Sequence, residues 1–148
     1  MPERKRILFL CTGNSCRSQM AEGWTRALKR GVIEAYSAGI EPHGLDPRAV
    51  KVMAEAGVDI SAHRSKGVAE LADVTFDYVV TVCGHAREAC PRFPGQAKVV
   101  HIGFDDPPRL SATARSEEEA LGHYRRVRNE IRAFVEGLPR NLEELVKP

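Results

Sequence analysis

The amino-acid sequence predicts an α/β fold with four parallel strands, formed by one domain over residues 1–148. The chain has 148 residues, of which 43% are hydrophobic and 28% charged, the size and composition of one ordinary globular domain. No repeat, low-complexity segment or linker divides it. Short apolar runs alternate with stretches of helical periodicity, and this alternation is typical of a parallel sheet whose strands are connected by helices.

Four apolar runs are predicted to be the strands. Residues 6–10 are almost entirely apolar, as expected of a central strand that is buried on both faces. Residues 78–82 form a second run of the same kind. Residues 34–38 and 98–102 contain shorter apolar stretches, and each range is followed directly by a glycine. These two runs are the remaining predicted strands.

Helical periodicity predicts three helices. Residues 18–30 place apolar side chains at helical spacing after the first strand. An Asp-Pro pair, in the preferred order of cap and first helical residue, opens a helix over residues 46–57. A capping box opens the third helix over residues 116–138, and its apolar stripe is expected to pack on the sheet. Residues 105–115 lack any periodicity and are predicted to form a long surface loop.

The charge balance and the cysteine content exclude several classes of protein. Twenty-two Lys and Arg against 20 Asp and Glu leave a net charge of +2, too small to predict a nucleic-acid or membrane partner. The apolar run at residues 7–10 is too short for a signal peptide or a membrane span, so we expect a cytosolic protein. In that reducing compartment, four cysteines indicate catalytic, redox or metal-binding use. The cysteines lack zinc-ligand spacing, which makes a metal the weaker interpretation.

The segment after the first strand has the composition of an oxyanion-binding loop. From Cys11 to Ser18 it is Cys-Thr-Gly-Asn-Ser-Cys-Arg-Ser. The backbone N–H groups between Cys11 and Arg17 can curl around a tetrahedral anion, and Gly13 and Asn14 tolerate the positive φ that such a nest requires. Arg17 is predicted to close the ring with a bidentate fork. The predicted oxyanion-binding residues are Thr12, Gly13, Asn14, Ser15, Cys16, Arg17 and Ser18.

Cys11 is the candidate nucleophile of this loop. The same N–H groups and the amino end of the following helix would stabilise its thiolate, and the Ser18 hydroxyl can add a hydrogen bond to the sulfur. The alternative is that Cys11 is a buried cysteine at the end of a strand and Arg17 a solvated helix residue. The position at the carboxyl end of a strand, where open α/β sheets bind ligands, favours catalysis.

These residues are part of a longer pattern that resembles the low-molecular-weight protein tyrosine phosphatase superfamily. The pattern extends from about residue 5 to residue 136 and includes residues 11–24, Ser-Ala-Gly-Ile at 37–40, Asp-Ile-Ser at 59–61, His63, and Asp-Asp-Pro at 105–107. The Ser-Gln-Met-Ala-Glu-Gly-Trp continuation of the loop is more similar to the thioredoxin-coupled arsenate reductases than to the phosphatases proper. The resemblance implies a single catalytic domain with a flavodoxin-like four-stranded parallel sheet and helices on both faces. It also implies a part in arsenical resistance.

The resemblance implies a role for each residue of the pocket. Cys11 would be the nucleophile, Arg17 and the loop amides the oxyanion ligands, and an aspartate before a proline the general acid. That aspartate is Asp106, directly before Pro107, with Asp105 as the second candidate. Independently of the family, thiolate attack on arsenate or phosphate requires protonation of the leaving oxygen. The alternative is that the two aspartates only form a turn.

Cys83 and Cys90 match the positions of two further cysteines in arsenate reductases of this type. Reduction of arsenate to arsenite takes two electrons, so one thiolate can form only an adduct that a second thiol must attack. Cys83 follows the strand at residues 78–82 and is the expected second thiol, at the same sheet edge as Cys11. Cys90 would then exchange with the disulfide between Cys11 and Cys83. The resulting disulfide between Cys83 and Cys90 would be reduced by thioredoxin, whereas Cys16 is expected to be structural.

Two other functions remain open at this point. The same pocket binds phosphate, so a low-molecular-weight protein tyrosine phosphatase with a cysteinyl-phosphate intermediate is the first alternative. Weak phosphatase side activity is expected even for a reductase. The residues after Pro107 include none of the aromatic side chains that line a phosphotyrosine cleft, and Cys83 and Cys90 would have no role. A non-enzymatic sensor of oxyanions or redox state is the second alternative.

Lys66 is relevant to bound ions. Some relatives hold a potassium ion with an aspartate at this position and with residues that match Asn14, Glu22 and Ser37. Since a lysine ammonium would replace the cation, we expect no bound metal, and no other cofactor. His63 is expected to be structural, and the remaining histidines form no cluster that the sequence identifies.

Overall fold

Strands and helices alternate along the chain. The protein is described by a computed structural model that covers residues 3–91, 93 and 97–147. The elements are β1 (Lys5–Cys11), α1 (Arg17–Leu28), β2 (Ile33–Gly39), α2 (Pro47–Glu55), a 3-10 helix (Val68–Leu71), β3 (Tyr78–Thr81), α3 (Gly84–Glu88), β4 (Lys98–His101), α4 (Pro107–Ser111), α5 (Glu117–Glu136) and α6 (Arg140–Leu145).

The four strands form one sheet in the order β2-β1-β3-β4, and all neighbouring strands are parallel. This is the flavodoxin-like order, so the predicted sheet is confirmed. Residues 7–10 of β1 are fully buried. Because successive side chains of a strand point to opposite faces, helices must cover both faces of the sheet.

The three predicted helices are present. The Ser116 hydroxyl caps α5 by accepting a hydrogen bond from the Glu119 N–H at 3.0 Å. The closest backbone contacts of α5 are with α1, α4 and α2. Its apolar stripe belongs to the same hydrophobic core as the buried residues of β1 and β3. The indole N–H of Trp24 on α1 donates to the Arg128 carbonyl oxygen on α5 at 3.1 Å, which ties the two helices together.

The prediction of a loop over residues 105–115 is wrong, because α4 lies within this range. Asp106 takes the cap position and Pro107 the first helical position, the same order that opens α2. Five residues are too few to show a helical period, and the same reason explains why α6 and the 3-10 helix were not predicted. The Ser111 hydroxyl donates to the Ala120 carbonyl oxygen at 3.2 Å and holds α4 on α5.

The sheet places two cysteines at one edge. Leu10 of β1 is in register with Thr81 of β3, and the Val82 N–H donates to the Leu10 carbonyl oxygen at 2.9 Å. Cys11 and Cys83 therefore follow neighbouring strands at their carboxyl ends. In the part of the chain that the structure describes, no helix has the length and apolar character that crossing a bilayer requires.

Candidate active site

The loop between β1 and α1 is held from outside by the segment that follows β2. Carbonyl oxygens of the loop accept hydrogen bonds from backbone N–H groups of that segment. The pairs are Ile40 to Cys11 at 3.1 Å, Glu41 to Thr12 at 2.8 Å, His43 to Gly13 at 2.9 Å and Asp46 to Ser15 at 3.0 Å. In a trans peptide the C=O and N–H groups point in opposite directions, so this bracing turns the loop N–H groups towards the pocket.

Gly13 and Gly39 are needed because other parts of the chain lie close to them, and not because either has an unusual φ. Asn14 has φ 48°, as predicted, but Gly13 does not lie in the left-handed region, so the expectation of a positive φ there is wrong. A Cβ on Gly13 would lie 2.7 Å from Nδ1 of His43. A Cβ on Gly39 would lie 2.7 Å from the Thr12 carbonyl oxygen and 2.9 Å from the Asn14 nitrogen. The absence of these side chains lets the loop, β2 and the His43 ring lie against one another.

Two donors reach the sulfur of Cys11. The Ser18 hydroxyl lies 2.8 Å from the sulfur, as the sequence suggested, and the Asn14 backbone N–H donates to it at 3.2 Å. Nδ2 of Asn14 donates to the Ser18 oxygen at 2.9 Å, which leaves the single hydroxyl proton free to point at the sulfur. Because both donors favour a negative sulfur, Cys11 is placed to act as a thiolate.

The second cysteine of the loop has the opposite environment. Cys16 is buried, and burial together with the nearby carboxylate of Asp46 raises its pKa well above the ordinary value, although Arg17 opposes the shift. The Cys16 sulfur therefore stays protonated at neutral pH. This agrees with a structural role in the pocket wall rather than a nucleophilic one.

Arg17 and Asp106 form an ion pair in the pocket wall. Nη1 of Arg17 donates to the Phe104 carbonyl oxygen at 2.9 Å, and Nη2 lies 3.6 Å from Oδ1 of Asp106. Asp105 is turned elsewhere, because its carboxylate pairs with Arg126 of α5 at 3.0 Å. Of the two adjacent aspartates, only Asp106 lines the pocket.

The pocket is a cavity of about 290 Å³, large enough for a tetrahedral oxyanion. Its lining residues are Cys11, Thr12, Gly13, Ser15, Cys16, Arg17, His43, Asp106 and Pro108. Asn14 and Ser18 were predicted with the oxyanion ligands, but their buried side chains lie behind the loop and support the sulfur. His43 and Pro108 were not predicted. The position of His43 four residues after the second strand was the available indication, since the segments that follow parallel strands reach the same sheet edge.

Cys83 lies beside the pocket. Its sulfur is 3.3 Å from the Thr12 hydroxyl oxygen and accepts a hydrogen bond from the Ala86 N–H at 3.4 Å, which caps α3. Cys90 follows α3 and is half-buried, and burial raises the pKa of its thiol. The Thr12 hydroxyl and the Ala86 N–H can therefore both stabilise a thiolate at Cys83. Thr12 is the residue that follows Cys11. All four cysteines are in the free form.

The residues that match an ion site in some relatives meet around a buried carboxylate. Glu22 is 3% exposed and accepts a hydrogen bond from the Ser37 hydroxyl at 2.6 Å. Nζ of Lys66 and Nε2 of His63 each lie 3.8 Å from it. Burial lowers the pKa of both Lys66 and His63, and the nearby Glu22 carboxylate opposes both shifts. Within residues 3–91, 93 and 97–147, no group of three or more His, Cys, Asp or Glu side chains could hold a metal ion.

Comparison with known proteins is consistent with this site. Residues 6–147 match the model of the low molecular weight phosphotyrosine protein phosphatase family. An arsenate reductase of Bacillus subtilis (strain 168) is 51% identical over 129 residues, which are 87% of this chain and 91% of that protein.

Solved structures of both functional types are similar to the chain. An arsenate reductase in its oxidized state has a TM-score of 0.76 at 30% identity and covers 93% of this chain, with 98% of its own chain matched. A low molecular weight protein tyrosine phosphatase from T. tengcongensis has a TM-score of 0.74 at 30% identity, with 93% and 99% covered. The fold alone therefore does not separate a reductase from a phosphatase.

Proposed function

The chain belongs to the low molecular weight phosphotyrosine protein phosphatase family, and within this family we propose that it reduces arsenate to arsenite through three cysteines. The observation that carries the proposal is the position of Cys83, whose sulfur contacts Thr12, the residue next to Cys11. Hydrolysis of a phosphate ester needs one cysteine, whereas a two-electron reduction needs a second thiol. The 51% identity to an arsenate reductase supports the same choice.

The first step forms a bond between sulfur and arsenic. Arsenate binds to the loop N–H groups and Arg17, and the Cys11 thiolate attacks the arsenic atom. An oxygen leaves as water, with a proton supplied by Asp106, which lines the pocket beside Arg17. Arsenic is still pentavalent in this adduct, so no electrons have yet been transferred.

The second step is the reduction. The Cys83 thiolate attacks the Cys11 sulfur and forms a disulfide, and the electron pair of the S–As bond remains on arsenic, which leaves as arsenite. Two thiolates have then lost one electron each, and arsenic has gained two. The contact of the Cys83 sulfur with the Thr12 hydroxyl at 3.3 Å, one residue from Cys11, supports this step.

The third step returns Cys11 to its reduced form. The Cys90 thiolate attacks the Cys83 sulfur, Cys11 leaves as a thiolate, and a disulfide joins Cys83 to Cys90. Cys90 is the most exposed of the four cysteines, so this disulfide is the accessible one. Thioredoxin reduces it with its own dithiol. Since the relay needs free thiols, we place the reaction in the reducing cytosol.

Phosphatase activity is the second function that the pocket favours. Cys11, Arg17 and Asp106 are the groups that a cysteinyl-phosphate intermediate requires, and a solved phosphatase has nearly the same fold similarity as the reductase. We expect this activity to be weak, because no Phe, Tyr or Trp is among the described residues that line the pocket.

The test is steady-state turnover of arsenate with thioredoxin and thioredoxin reductase, beside hydrolysis of a small aryl phosphate. Cys11→Ser should abolish both reactions. Cys83→Ser and Cys90→Ser should each stop arsenate turnover and leave phosphate hydrolysis largely intact. Continued arsenate turnover by both variants would contradict the three-cysteine relay. Wild-type protein that hydrolyses the phosphate efficiently but does not turn over arsenate would be a phosphatase, and one that does neither would be a sensor.

A further inference from the structure

His43 lies in the pocket without a role in the three steps above. It is one of the lining residues, on the segment that braces the loop from outside. Its backbone N–H donates to the Gly13 carbonyl oxygen at 2.9 Å. The ring lies so close to Gly13 that Nδ1 would be 2.7 Å from a Cβ at that position. Both contacts fix the imidazole against the anion-binding loop.

The pocket has few positively charged side chains that could donate hydrogen bonds to a bound oxyanion. Arg17 is the only Lys or Arg among the described lining residues, and it faces Asp106 at 3.6 Å. A bound oxyanion adds negative charge next to the Cys11 thiolate. The backbone N–H groups supply partial positive charge, and the imidazole of His43 is the other lining side chain that can carry a positive charge.

Two partly buried histidines, His63 and His101, already have partners. Nδ1 of His63 lies 3.0 Å from Oε1 of Gln19, and Nδ1 of His101 lies 2.9 Å from the Thr81 hydroxyl. Within the part of the chain that the structure describes, the ring of His43 makes no such hydrogen bond and is exposed at the pocket mouth. Its N–H is therefore free for a ligand.

We propose that His43 is an oxyanion-binding residue, which donates a hydrogen bond from its imidazole to arsenate or phosphate on the loop. This deepens the proposed function of the pocket, on which it rests for the identity of the substrate. It also gives a reason for glycine at position 13, because any side chain there would displace the ring from the pocket. Asp106, Arg17, Cys11 and Cys16 are the titratable or charged groups that line the pocket with His43, and Glu41 is the nearest such group on its own segment.

The experiment compares alkylation of Cys11 by iodoacetate and by iodoacetamide at one pH. Both reagents react with the same thiolate, so any change in the amount of thiolate cancels in the ratio of the two rates. Only iodoacetate is an anion. His43→Ala should lower the iodoacetate to iodoacetamide ratio by about tenfold, the size of one hydrogen bond to a charged group. His43→Gln keeps a hydrogen-bond donor but no charge, so its ratio should fall between those of the wild type and His43→Ala.

Inorganic phosphate provides the second measurement. The phosphate concentration that halves the rate of iodoacetamide alkylation should rise by about tenfold in His43→Ala. His123→Ala is the matched control, because His123 lies on α5 and is not among the lining residues of the pocket. It should leave both measurements unchanged.

The possible outcomes separate the binding role from a structural one. If His43 only supports the loop, His43→Ala will change the two alkylation rates by the same factor and phosphate protection will stay as it was. That result would overturn the proposal, and so would the absence of any change. Neither measurement requires arsenate turnover. A protein with the expected anion preference but no reductase activity would therefore contradict the proposed function and leave the role of His43 standing.

Discussion

Neighbouring side chains make the two loop cysteines chemically different. Cys11 and Cys16 are both buried, so burial alone would favour the neutral thiol at both positions. Cys11 has the Ser18 hydroxyl at 2.8 Å and the Asn14 N–H at 3.2 Å, whereas Cys16 has the carboxylate of Asp46 near it. The hydrogen-bond donors near Cys11 favour a negative sulfur, and the carboxylate near Cys16 disfavours one. This difference makes Cys11 the better nucleophile.

We therefore expect Ser18→Ala to slow alkylation of Cys11 by iodoacetamide at neutral pH by about tenfold, since a hydrogen bond to a charged group is lost. The matched control is Ser111→Ala. Ser111 is also buried and donates a hydrogen bond, but its partner is the Ala120 carbonyl oxygen, outside the pocket. Equal alkylation rates in Ser18→Ala and wild-type protein would show that the hydroxyl does not stabilise the thiolate.

Adjacent aspartates provide a second contrast. Asp106 lines the pocket, and Asp105 pairs with Arg126 on α5. Asp106→Asn should slow hydrolysis of aryl phosphates with poor leaving groups by about a hundredfold, because general acid catalysis is lost. The loss should shrink as the leaving phenol becomes more acidic, which a mere disturbance of Arg17 would not produce. Asp105→Asn is the control, and a larger loss there would transfer the role to Asp105.

The short helix α3 lies between Cys83 and Cys90. α3 has five residues, and the Cys83 sulfur itself caps its first turn through the Ala86 N–H. A helix of this length has little stability of its own. The element that separates Cys83 from Cys90 is therefore easily unfolded, and the relay requires this property.

Formation of the disulfide between Cys83 and Cys90 should unwind α3. A helical rise of about 1.5 Å over all seven steps from Cys83 to Cys90 would put the two Cα atoms roughly 10 Å apart, whereas a disulfide needs them within about 7 Å. α3 covers five of the residues in this segment, Gly84–Glu88. Displacement of the sulfur would also remove the cap. Hydrogen exchange should show protected amides in residues 86–89 of the reduced protein and rapid exchange after oxidation. The slower exchange of α5 serves as an internal reference. Equal protection in both states, with the disulfide verified by mass, would refute the unwinding.

Patterns in the sequence predict the sheet, the long helices and the anion-binding loop. Residues 7–10 of the first strand are buried on both faces, and capping residues mark the start of α2 and α5, so local chemistry fixes these elements. α4 and α6 were missed, because five or six residues show no period. His43 was missed for a different reason: its place in the pocket depends on the close contact with Gly13, which only the folded chain reveals.

Ion pairs between α2 and α5 join the layers of the molecule at the surface. Glu55 of α2 accepts hydrogen bonds from Arg125 at 2.9 and 2.8 Å and from Arg128 at 3.2 Å, both on α5. Arg125 also pairs with Glu118. These arginines lower the pKa of Glu55 from its ordinary value of 4.5 to about 2.

Acid should therefore weaken the connection between α2 and α5 in a defined range. Because the folded-state pKa of Glu55 lies below the unfolded one, the unfolded chain takes up the proton first. The stabilisation is complete above about pH 4.5 and is lost as the pH falls towards 2. The difference in melting temperature between wild type and Glu55→Gln should be largest at neutral pH and should shrink across this range. High salt should also reduce this difference in melting temperature, because the ion pairs of Glu55 are exposed.

Glu136→Gln, at the end of α5, is the control and should show little pH-dependent difference. A Glu55→Gln difference that stays constant from pH 7 to pH 2 would mean that these ion pairs do not contribute to global stability.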